Sequence, residues 1–340
     1  MQALARNQII TGDCLSILRS FPANTVDLVV TSPPYFQQRD YGQAGIGNEA
    51  TEQEYLDNVL AVFAECLRVT KPTGAMVFNL GDKYLDGRLS LLPYKFAIRA
   101  CERSSQVKLI NQVTWVKSNP TPRQDKRKLV QSAEPFFVFV KSSEYYFNQD
   151  AYMDYLDALK STAKPRTTNS IGKRYFDLID QSDLTPEEKQ HAKSALHEVI
   201  QEVKAGKIES FRMKIRNIHA QPFGGQEGGR KIHLERDGFT IIRIPGNTMK
   251  KDVIESPVES IKGNQHPAVY PLSVIQQLLK LLSQEGQLVL DPFCGSGTTC
   301  LAAHLLKRNY LGIEINPAYV EYARTRLNEA VDAPLELLFL

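Results

Sequence analysis

The stretch LVLDPFCGSGTT, residues 288–299, joins an apolar strand, a glycine loop and the start of a helix. Gly295 and Gly297 let the backbone turn tightly and approach a ligand closely. No lysine follows the glycines, so the stretch is not a P-loop, and the third glycine of the dinucleotide fingerprint is absent. Asp291 ends this strand and Glu314 ends the next one, where a carboxylate can accept both hydroxyls of a ribose. The pattern predicts a nucleoside site in an open α/β sheet.

A ligand with an adenosine sugar and no pyrophosphate fits this pattern, and we predict S-adenosylmethionine. Its ammonium group can pair with Asp291, and Phe293 offers apolar surface beside the loop. Read alone, the same residues are also compatible with a plain glycine turn beside a surface glutamate.

A second stretch, VDLVVTSPPYF (26–36), ends an apolar strand with two prolines that cannot donate to a sheet ladder. An exocyclic amine of a nucleobase is a poor nucleophile, because its lone pair is delocalised into the ring. The Ser32 hydroxyl and the carbonyl of Pro33 can accept the amine's hydrogens, and Pro34 stiffens the loop. Tyr35 offers a face on which an extruded base can stack. Carboxyl ends of parallel strands share one rim, so we expect this loop to face the glycine loop.

Strand and helix patterns alternate at both ends of the chain and not in the middle, which favours one α/β domain with an insertion. We predict a catalytic part at 1–148, an inserted target-recognition region at 149–262 and a cofactor-binding part at 263–340. KPTG (71–74) is expected to separate a helix from a strand. Pro186 is expected in the first turn of a helix.

Charge is distributed unevenly. Between Lys160 and Lys251 there are 18 basic and 11 acidic residues, a balance of 18 − 11 = +7, whereas the whole chain carries only +3. This segment is either a surface for a polyanion or a solvated lysine-rich face. The five cysteines form no metal-binding spacing and are expected to be reduced thiols, mostly buried, in a cytoplasmic protein. We expect neither a metal nor a membrane segment.

TSPPY (31–35) together with DPFCGSGTT (291–299) resembles the amino-group DNA methyltransferases of the seven-stranded, S-adenosylmethionine-dependent class. The catalytic motif precedes the cofactor motif, as in the β group of that family. The resemblance covers about residues 8–148 and 263–330. It implies a Rossmann-like, largely parallel seven-stranded sheet with helices on both faces, in circularly permuted motif order. It also implies an enzyme of a restriction-modification or orphan system.

The resemblance carries roles to individual residues. Ser32, Pro33, Pro34 and Tyr35 are the implied catalytic residues. GDCLSIL makes Asp13 the contact to the cofactor adenine, and the stretch GNQHPAVYPLSVIQQLL packs against its methionine part. The implied cofactor set is Asp13, Thr31, His266, Pro267, Asp291, Pro292, Phe293, Gly295, Ser296, Gly297, Thr298, Thr299, Glu314, Ile315 and Asn316.

In the β group the variable region reads the target sequence, which here is the basic insertion. Its lysines and arginines, and those of the loop NPTPRQDKRK (119–128), are expected to contact double-stranded DNA. The candidate DNA contacts are Arg123, Lys126, Arg127, Lys128, Arg230, Lys231 and Arg236. The oligomeric state stays open between a monomer and a homodimer. The expected location is the bacterial nucleoid.

The first residue of the SPPY motif bears on the base. Within the family the serine form goes with the N4 amino group of cytosine and the aspartate form with the N6 amino group of adenine, so Ser32 indicates N4-methylcytosine. Alternatives are an adenine or RNA substrate, and an inactive DNA-binding relative. No cysteine follows a proline, which argues against cytosine carbon-5 chemistry. An oxidoreductase is disfavoured by the missing third glycine.

Overall fold

The structure is a computed structural model, and it describes residues 4–38, 45–120, 127–152, 171–208, 210–219, 230–244, 251–258 and 270–332. The chain divides into two compact units. Met1–Ala158 and Lys251–Leu340 form the first unit, and Leu159–Lys250 forms the second. The second unit therefore coincides, within a residue at each end, with the basic segment of the sequence.

The first unit is built on one large sheet. Its strands are β1 (Gln8–Thr11), β2 (Val26–Thr31), β3 (Thr70–Asn79), β6 (Lys108–Lys117), β7 (Ala133–Val140), β10 (Val253–Ser256), β11 (Leu288–Asp291) and β12 (Asn309–Glu314). A separate hairpin joins β4 (Tyr84–Leu85) to β5 (Arg88–Leu89). The strand order of the sheet is β1-β12-β11-β2-β3-β7-β6-β10. Only β7 runs antiparallel to its neighbours among these strands. The sheet is thus largely parallel, as predicted.

Helices of the first unit connect these strands. They are α1 (Cys14–Ser20), α2 (Glu52–Val69), α3 (Leu92–Glu102), α7 (Leu272–Leu282), α8 (Thr298–Leu305) and α9 (Pro317–Asp332). The predicted capping box starts α2, because Thr51 accepts from the backbone N–H of Glu54 and the Glu54 carboxylate accepts from that of Thr51.

Both faces of the sheet are buried. In β2 the side chain of Val29 joins the apolar cluster that contains α1, α2 and α3, whereas Leu28 and Val30 join the one that contains α7. This alternation explains why β2 reads as a continuous apolar run, since a parallel strand covered on both faces has no polar side.

The second unit has its own core. It contains α4 (Lys173–Gln181), α5 (Pro186–Lys204) and α6 (Arg230–Asp237), with β8 (Ser210–Ile215) paired antiparallel to β9 (Phe239–Ile244). Its buried cluster includes Ile179, Leu196, Val199 and Ile215. As predicted, Pro186 starts its helix, and Thr185 provides the capping box.

Two details differ from the sequence expectations. An eighth strand, β10, extends the expected seven-stranded sheet, and it lies inside the predicted insertion 149–262 but belongs to the first unit. KPTG is part of β3, where a register shift between Val26 and Leu28 of β2 accommodates it. Within the described ranges, no helix is long and apolar enough to cross a bilayer.

Candidate active site

Four neighbouring parallel strands, β1, β12, β11 and β2, end at one edge of the sheet. The residues that follow them are Asp13, Glu314 with Ile315, the loop 292–297, and Ser32. In an open α/β sheet, ligands bind outside the carboxyl ends of the strands. The structure therefore brings the two sequence motifs to the same rim, although they are far apart in the chain.

A direct hydrogen bond links the two motifs. The Thr31 hydroxyl, at the end of β2, donates to Asp291 Oδ1 at 2.6 Å. Both residues are fully buried, with 0% and 1% of their surface exposed. Because β2 and β11 pair side by side, this contact fixes the TSPPY loop against the glycine loop.

The Asp291 carboxylate accepts two further hydrogen bonds. The Tyr270 hydroxyl donates to Oδ2 at 3.0 Å, and the Phe293 backbone N–H donates to Oδ1 at 3.1 Å. Burial raises the pKa of Asp291 even though these donors favour its charged form. The Tyr270 hydroxyl also contacts the Thr299 hydroxyl, and burial raises the pKa of Tyr270. A buried, hydrogen-bonded carboxylate of this kind can hold a cationic group of a ligand.

The glycine loop takes the conformation that its sequence predicts. Gly295 and Gly297 have φ values of +48° and +80°, in the left-handed region that favours glycine. A Cβ atom on Gly297 would lie 2.8 Å from the Cβ of Ala323, so glycine also permits close packing on α9. Arg326 of the same helix donates to the carbonyl of Ser296 at 2.7 Å. This arginine ties the loop to α9, a contact that the sequence did not reveal.

Glu314 spans the mouth of this loop. Its Oε2 accepts the Gly295 backbone N–H at 3.0 Å, and its Oε1 accepts the Asn316 backbone N–H at 2.8 Å. Burial raises the pKa of Glu314 despite these two bonds. A carboxylate has about four lone-pair sites, so each oxygen keeps capacity to accept a ribose hydroxyl.

Asp13 follows β1 and caps α1. Its Oδ1 accepts the backbone N–H of Ser16 at 2.8 Å and the Ser16 hydroxyl at 2.7 Å. The side chain lies on the rim next to β12. Its cap role accounts for part of its hydrogen bonding, and the second oxygen remains able to accept from an adenine amino group.

The SPPY loop is anchored by a residue outside the motif. The Ser32 hydroxyl donates to Asn79 Oδ1 at 3.2 Å, and the Tyr35 hydroxyl lies 2.9 Å from the same oxygen. Asn79 is the last residue of β3, and the register that pairs Thr31 with Phe78 places Ser32 beside it. The loop is therefore held on two neighbouring strands.

The ring of Tyr35 lies against the backbone of Gly81. A Cβ atom at position 81 would lie 2.4 Å from a Tyr35 ring carbon, so glycine is needed for the ring to sit there. The Tyr35 hydroxyl also lies 3.0 Å from Glu134 Oε2. Glu134 in turn forms a close ion pair with Lys117, whose ammonium lies 5.1 Å from the ring centre of Trp115. The tyrosine is fixed at both its ring and its hydroxyl.

The remaining predicted residues fall into three groups. His266, Pro267, Arg123 and Lys126 lie outside the described residues. Pro292, Ser296, Thr298 and Thr299 are buried parts of the loop and of α8, and Ile315 is 39% exposed. The third group contains the basic candidates.

Among those candidates, Arg127 and Lys128 are exposed, and the Lys128 ammonium lies 4.2 Å from the ring centre of Tyr84. Arg230 and Lys231 lie in α6, and their side chains are not among those described. Arg236 forms two bonds to Asp237, at 2.7 and 2.8 Å, so an adjacent carboxylate offsets its charge. Arg127 and Lys128 therefore present the better described surface for phosphate.

All five cysteines are free thiols, and four of them are buried, as predicted. Burial raises the pKa of Cys14 to about 12, so this thiol stays protonated at neutral pH. Among the described residues, no cluster of His, Cys, Asp and Glu could hold a metal ion.

Comparison with known proteins gives the family. The DNA methylase family profile for N6 and N4 methyltransferases matches residues 26–325, and the chain belongs to this family. The type II methyltransferase M.XycI of Xanthomonas campestris pv. cyanopsidis is 24% identical over 95% of this chain and 88% of its own length. The DNA adenine methyltransferase YhdJ of Escherichia coli is 24% identical over 95% and 83%.

Solved structures share the fold. The PvuII DNA methyltransferase, which is cytosine-N4-specific, has a TM-score of 0.58 at 17% identity and covers 97% of this chain and 92% of its own. TTHA0409 of Thermus thermophilus, solved with S-adenosyl-L-methionine, has a TM-score of 0.53 at 21% identity and covers 96% and 95%. The protein is thus a DNA methyltransferase with a Rossmann-like methyltransferase fold, and S-adenosylmethionine is its cofactor.

Proposed function

We propose that the protein methylates the N4 amino group of cytosine at specific sites of duplex DNA. The observation that carries this proposal is the 2.6 Å hydrogen bond between Thr31 and Asp291, which joins the amine-holding loop to the cofactor loop on adjacent strands. A methyl donor in one loop then faces a base held by the other. Ser32, as the first residue of the SPPY motif, favours cytosine. We further propose that the motif order makes the enzyme a β-group member.

The residues at the rim fit the cofactor. Glu314 would accept the ribose hydroxyls, Asp13 would contact the adenine, and Asp291 with Phe293 would hold the methionine part. S-adenosylmethionine supplies an electrophilic methyl group: the carbon–nitrogen bond forms as the carbon–sulfur bond breaks, the sulfur keeps the electron pair, and the amine releases a proton to water. The sulfonium is a good leaving group, so positioning of the amine supplies most of the catalysis.

The protein's own groups perform that positioning. The target base leaves the duplex and stacks on Tyr35. The Ser32 hydroxyl and the Pro33 carbonyl accept the two amine hydrogens, which draws the nitrogen towards tetrahedral geometry and localises its lone pair. Because Tyr35 is half-buried and tied to Asn79 and Glu134, the stacking face is preorganised.

The second unit is the proposed target-recognition region, with a balance of +7 over Lys160–Lys251. Its cationic side chains would position the DNA backbone, and Arg127 and Lys128 would do so beside the catalytic part. The enzyme would act at the nucleoid of a bacterial cell, in a restriction-modification system or as an orphan methyltransferase.

The second candidate is N6 methylation of adenine, and the similarity to YhdJ favours it. Both bases present an exocyclic amine, and a serine can accept from either. An inactive DNA binder is disfavoured, since it would need neither the buried Thr31–Asp291 contact nor the Ser32–Asn79 contact.

Transfer of a labelled methyl group tests the proposal. Purified protein with S-adenosylmethionine tritiated in the methyl group should label duplex DNA and leave RNA unlabelled. Tyr35→Ala should abolish most of the labelling while cofactor binding persists. Labelling of RNA alone, or equal labelling by wild type and Tyr35→Ala, would refute it.

A further inference from the structure

Asn79 ends β3 directly beside the SPPY loop, and its side chain is fully buried. Its Nδ2 donates to the carbonyl of Pro135 at 3.1 Å. Its Oδ1 is the common partner of two hydroxyls, those of Ser32 and Tyr35. One amide thus connects the serine, the tyrosine and the first residues of β7.

The contacts fix which way this amide points. The Pro135 carbonyl can only accept, so the group that faces it must be the donating NH2. The oxygen of Asn79 therefore faces the two hydroxyls and takes a hydrogen from them. A reversed amide would place two oxygens against each other at Pro135.

This orientation decides what the Ser32 hydroxyl can do. A hydroxyl has one hydrogen and two lone pairs. The hydrogen of Ser32 is directed to Asn79, and no donor among the described residues contacts the Ser32 oxygen. Its lone pairs are therefore available to an incoming group that donates, such as an amine, and its hydrogen is not available to a carbonyl.

We propose that Asn79 is the positioning residue of the target-base pocket: by accepting the Ser32 hydrogen it makes Ser32 a hydrogen-bond acceptor, so that the pocket selects a base with an amino group over its deaminated form. This inference rests on the proposed function. It applies equally to cytosine against uracil and to adenine against hypoxanthine, because each pair exchanges an amine for a carbonyl.

The same oxygen also restrains Tyr35, whose hydroxyl lies between Asn79 and the Glu134–Lys117 pair. Substitution of Asn79 leaves the Glu134 contact to Tyr35 in place. The effect on base selection can therefore be separated from loss of the stacking ring.

The test measures DNA binding with the target base and with its deaminated form, in the presence of a cofactor product to prevent turnover. Wild type should prefer the amino base by at least about 10-fold, the cost of one unsatisfied hydrogen bond. Asn79→Leu frees the Ser32 hydroxyl to donate, and the preference should fall about 10-fold towards unity.

Asn79→Asp is the matched conservative variant. A protonated aspartic acid has the same shape as asparagine and can donate to Pro135 while it accepts from Ser32, so it should retain the preference. Ser32→Ala should lose it, and the double variant Ser32→Ala with Asn79→Leu should lose no more than Ser32→Ala alone.

Several results would overturn the proposal. An unchanged preference in Asn79→Leu, with cofactor affinity intact, would show that Asn79 does not orient Ser32. Loss of cofactor binding in both Asn79 variants would make Asn79 a structural residue of the sheet, which also contradicts the proposal. If wild type transfers no methyl group to DNA, the proposed function itself fails, and that outcome is seen without any Asn79 variant.

Discussion

The Glu314 carboxylate offers the sharpest test of the cofactor site, because it is both a ligand group and a loop anchor. It accepts the backbone N–H groups of Gly295 and Asn316 and sits where the ribose is expected. Glu314→Ala removes the proposed ribose contacts and leaves both amides without their partner. Glu314→Gln keeps the shape, but its NH2 group must then face one of these two N–H donors. Neither change is therefore conservative.

The magnitude follows from the hydrogen bonds that the substitution removes. A hydrogen bond to a charged group contributes roughly 1.5–3 kcal/mol, which corresponds to roughly 10- to 100-fold in the dissociation constant of S-adenosylmethionine. Glu314→Ala should reach at least this range, and Glu314→Gln should fall within it. The displaced glycine loop adds to the effect for both variants.

Isothermal titration calorimetry measures this effect directly. Glu321→Gln is the matched control, because Glu321 is exposed on α9 and its removal changes the net charge by the same amount. It should leave the dissociation constant within twofold of wild type. A dissociation constant for Glu314→Ala within twofold of wild type would refute the ribose assignment.

The pH dependence has a definite sign. Burial raises the pKa of Glu314 above its ordinary value, so the free protein takes up a proton at a higher pH than an exposed glutamate would. The ionised form is the one that accepts two hydroxyls. Cofactor affinity should therefore fall as the pH is lowered towards this raised pKa, and the part due to Glu314 should be absent in Glu314→Gln.

Three further predictions concern other parts of the site. Gly81→Ala should displace the Tyr35 ring and, since base stacking is worth roughly 1–3 kcal/mol, lower methyl transfer at least about 10-fold with cofactor affinity unchanged; a fully active variant would contradict the position of Tyr35. Burial raises the pKa of Asp291, so the folded protein binds that proton more tightly and loses stability as the pH rises; Asp291→Asn should therefore raise the melting temperature at pH 7 but not near pH 3, while weakening cofactor binding, and a lower melting temperature at pH 7 would oppose this. Neutralising Arg127 and Lys128 should reduce the salt slope of DNA binding by about 0.9 for each phosphate that the variant no longer neutralises, measured by fluorescence anisotropy, and an unchanged slope would exclude both from the interface.

The second unit adds one comparison to the salt measurement. Neutralising Arg230, Lys231 and Arg236 together should also flatten the slope and leave cofactor binding intact. Because Arg236 is paired with Asp237, we expect the other two to account for most of the change.

Local features of the site could be predicted from the sequence because short-range physics determines them. Gly295 and Gly297 follow a strand and precede a helix, and only glycine readily takes their left-handed backbone. The capping boxes of α2 and α5 are likewise written in four consecutive residues. Parallel strands end at a common rim, which was enough to bring Ser32 and Asp291 together in the prediction.

Other features depend on contacts between distant parts of the chain. β10 has only four residues and joins the sheet through its pairing with β6, where Trp115 donates to the carbonyl of Ser256. Asn79 and Glu134 become site residues only because β3 and β7 pair side by side. Neither has a local signature beyond being polar at the end of an apolar strand, which was the one signal available.

Tyr270 and Arg326 were missed for related reasons. Tyr270 lies within the quoted GNQHPAVYPLSVIQQLL stretch, yet its contact with Asp291 depends on the packing of α7 against β11. Arg326 is one of several charged residues on α9, and only the fold shows that it reaches the glycine loop. A charged or polar residue with one distant partner has no periodicity that a single sequence can reveal.

The chemical identity of the product tests the central claim most directly. DNA from cells that express the protein, and from cells that express Ser32→Ala with Tyr35→Ala, can be digested to nucleosides and analysed by mass spectrometry. The account predicts N4-methylcytosine in the first sample and a strongly reduced amount in the second. N6-methyladenine as the only new product would contradict the choice of base, and no new methylated amine in either sample would contradict the proposed reaction.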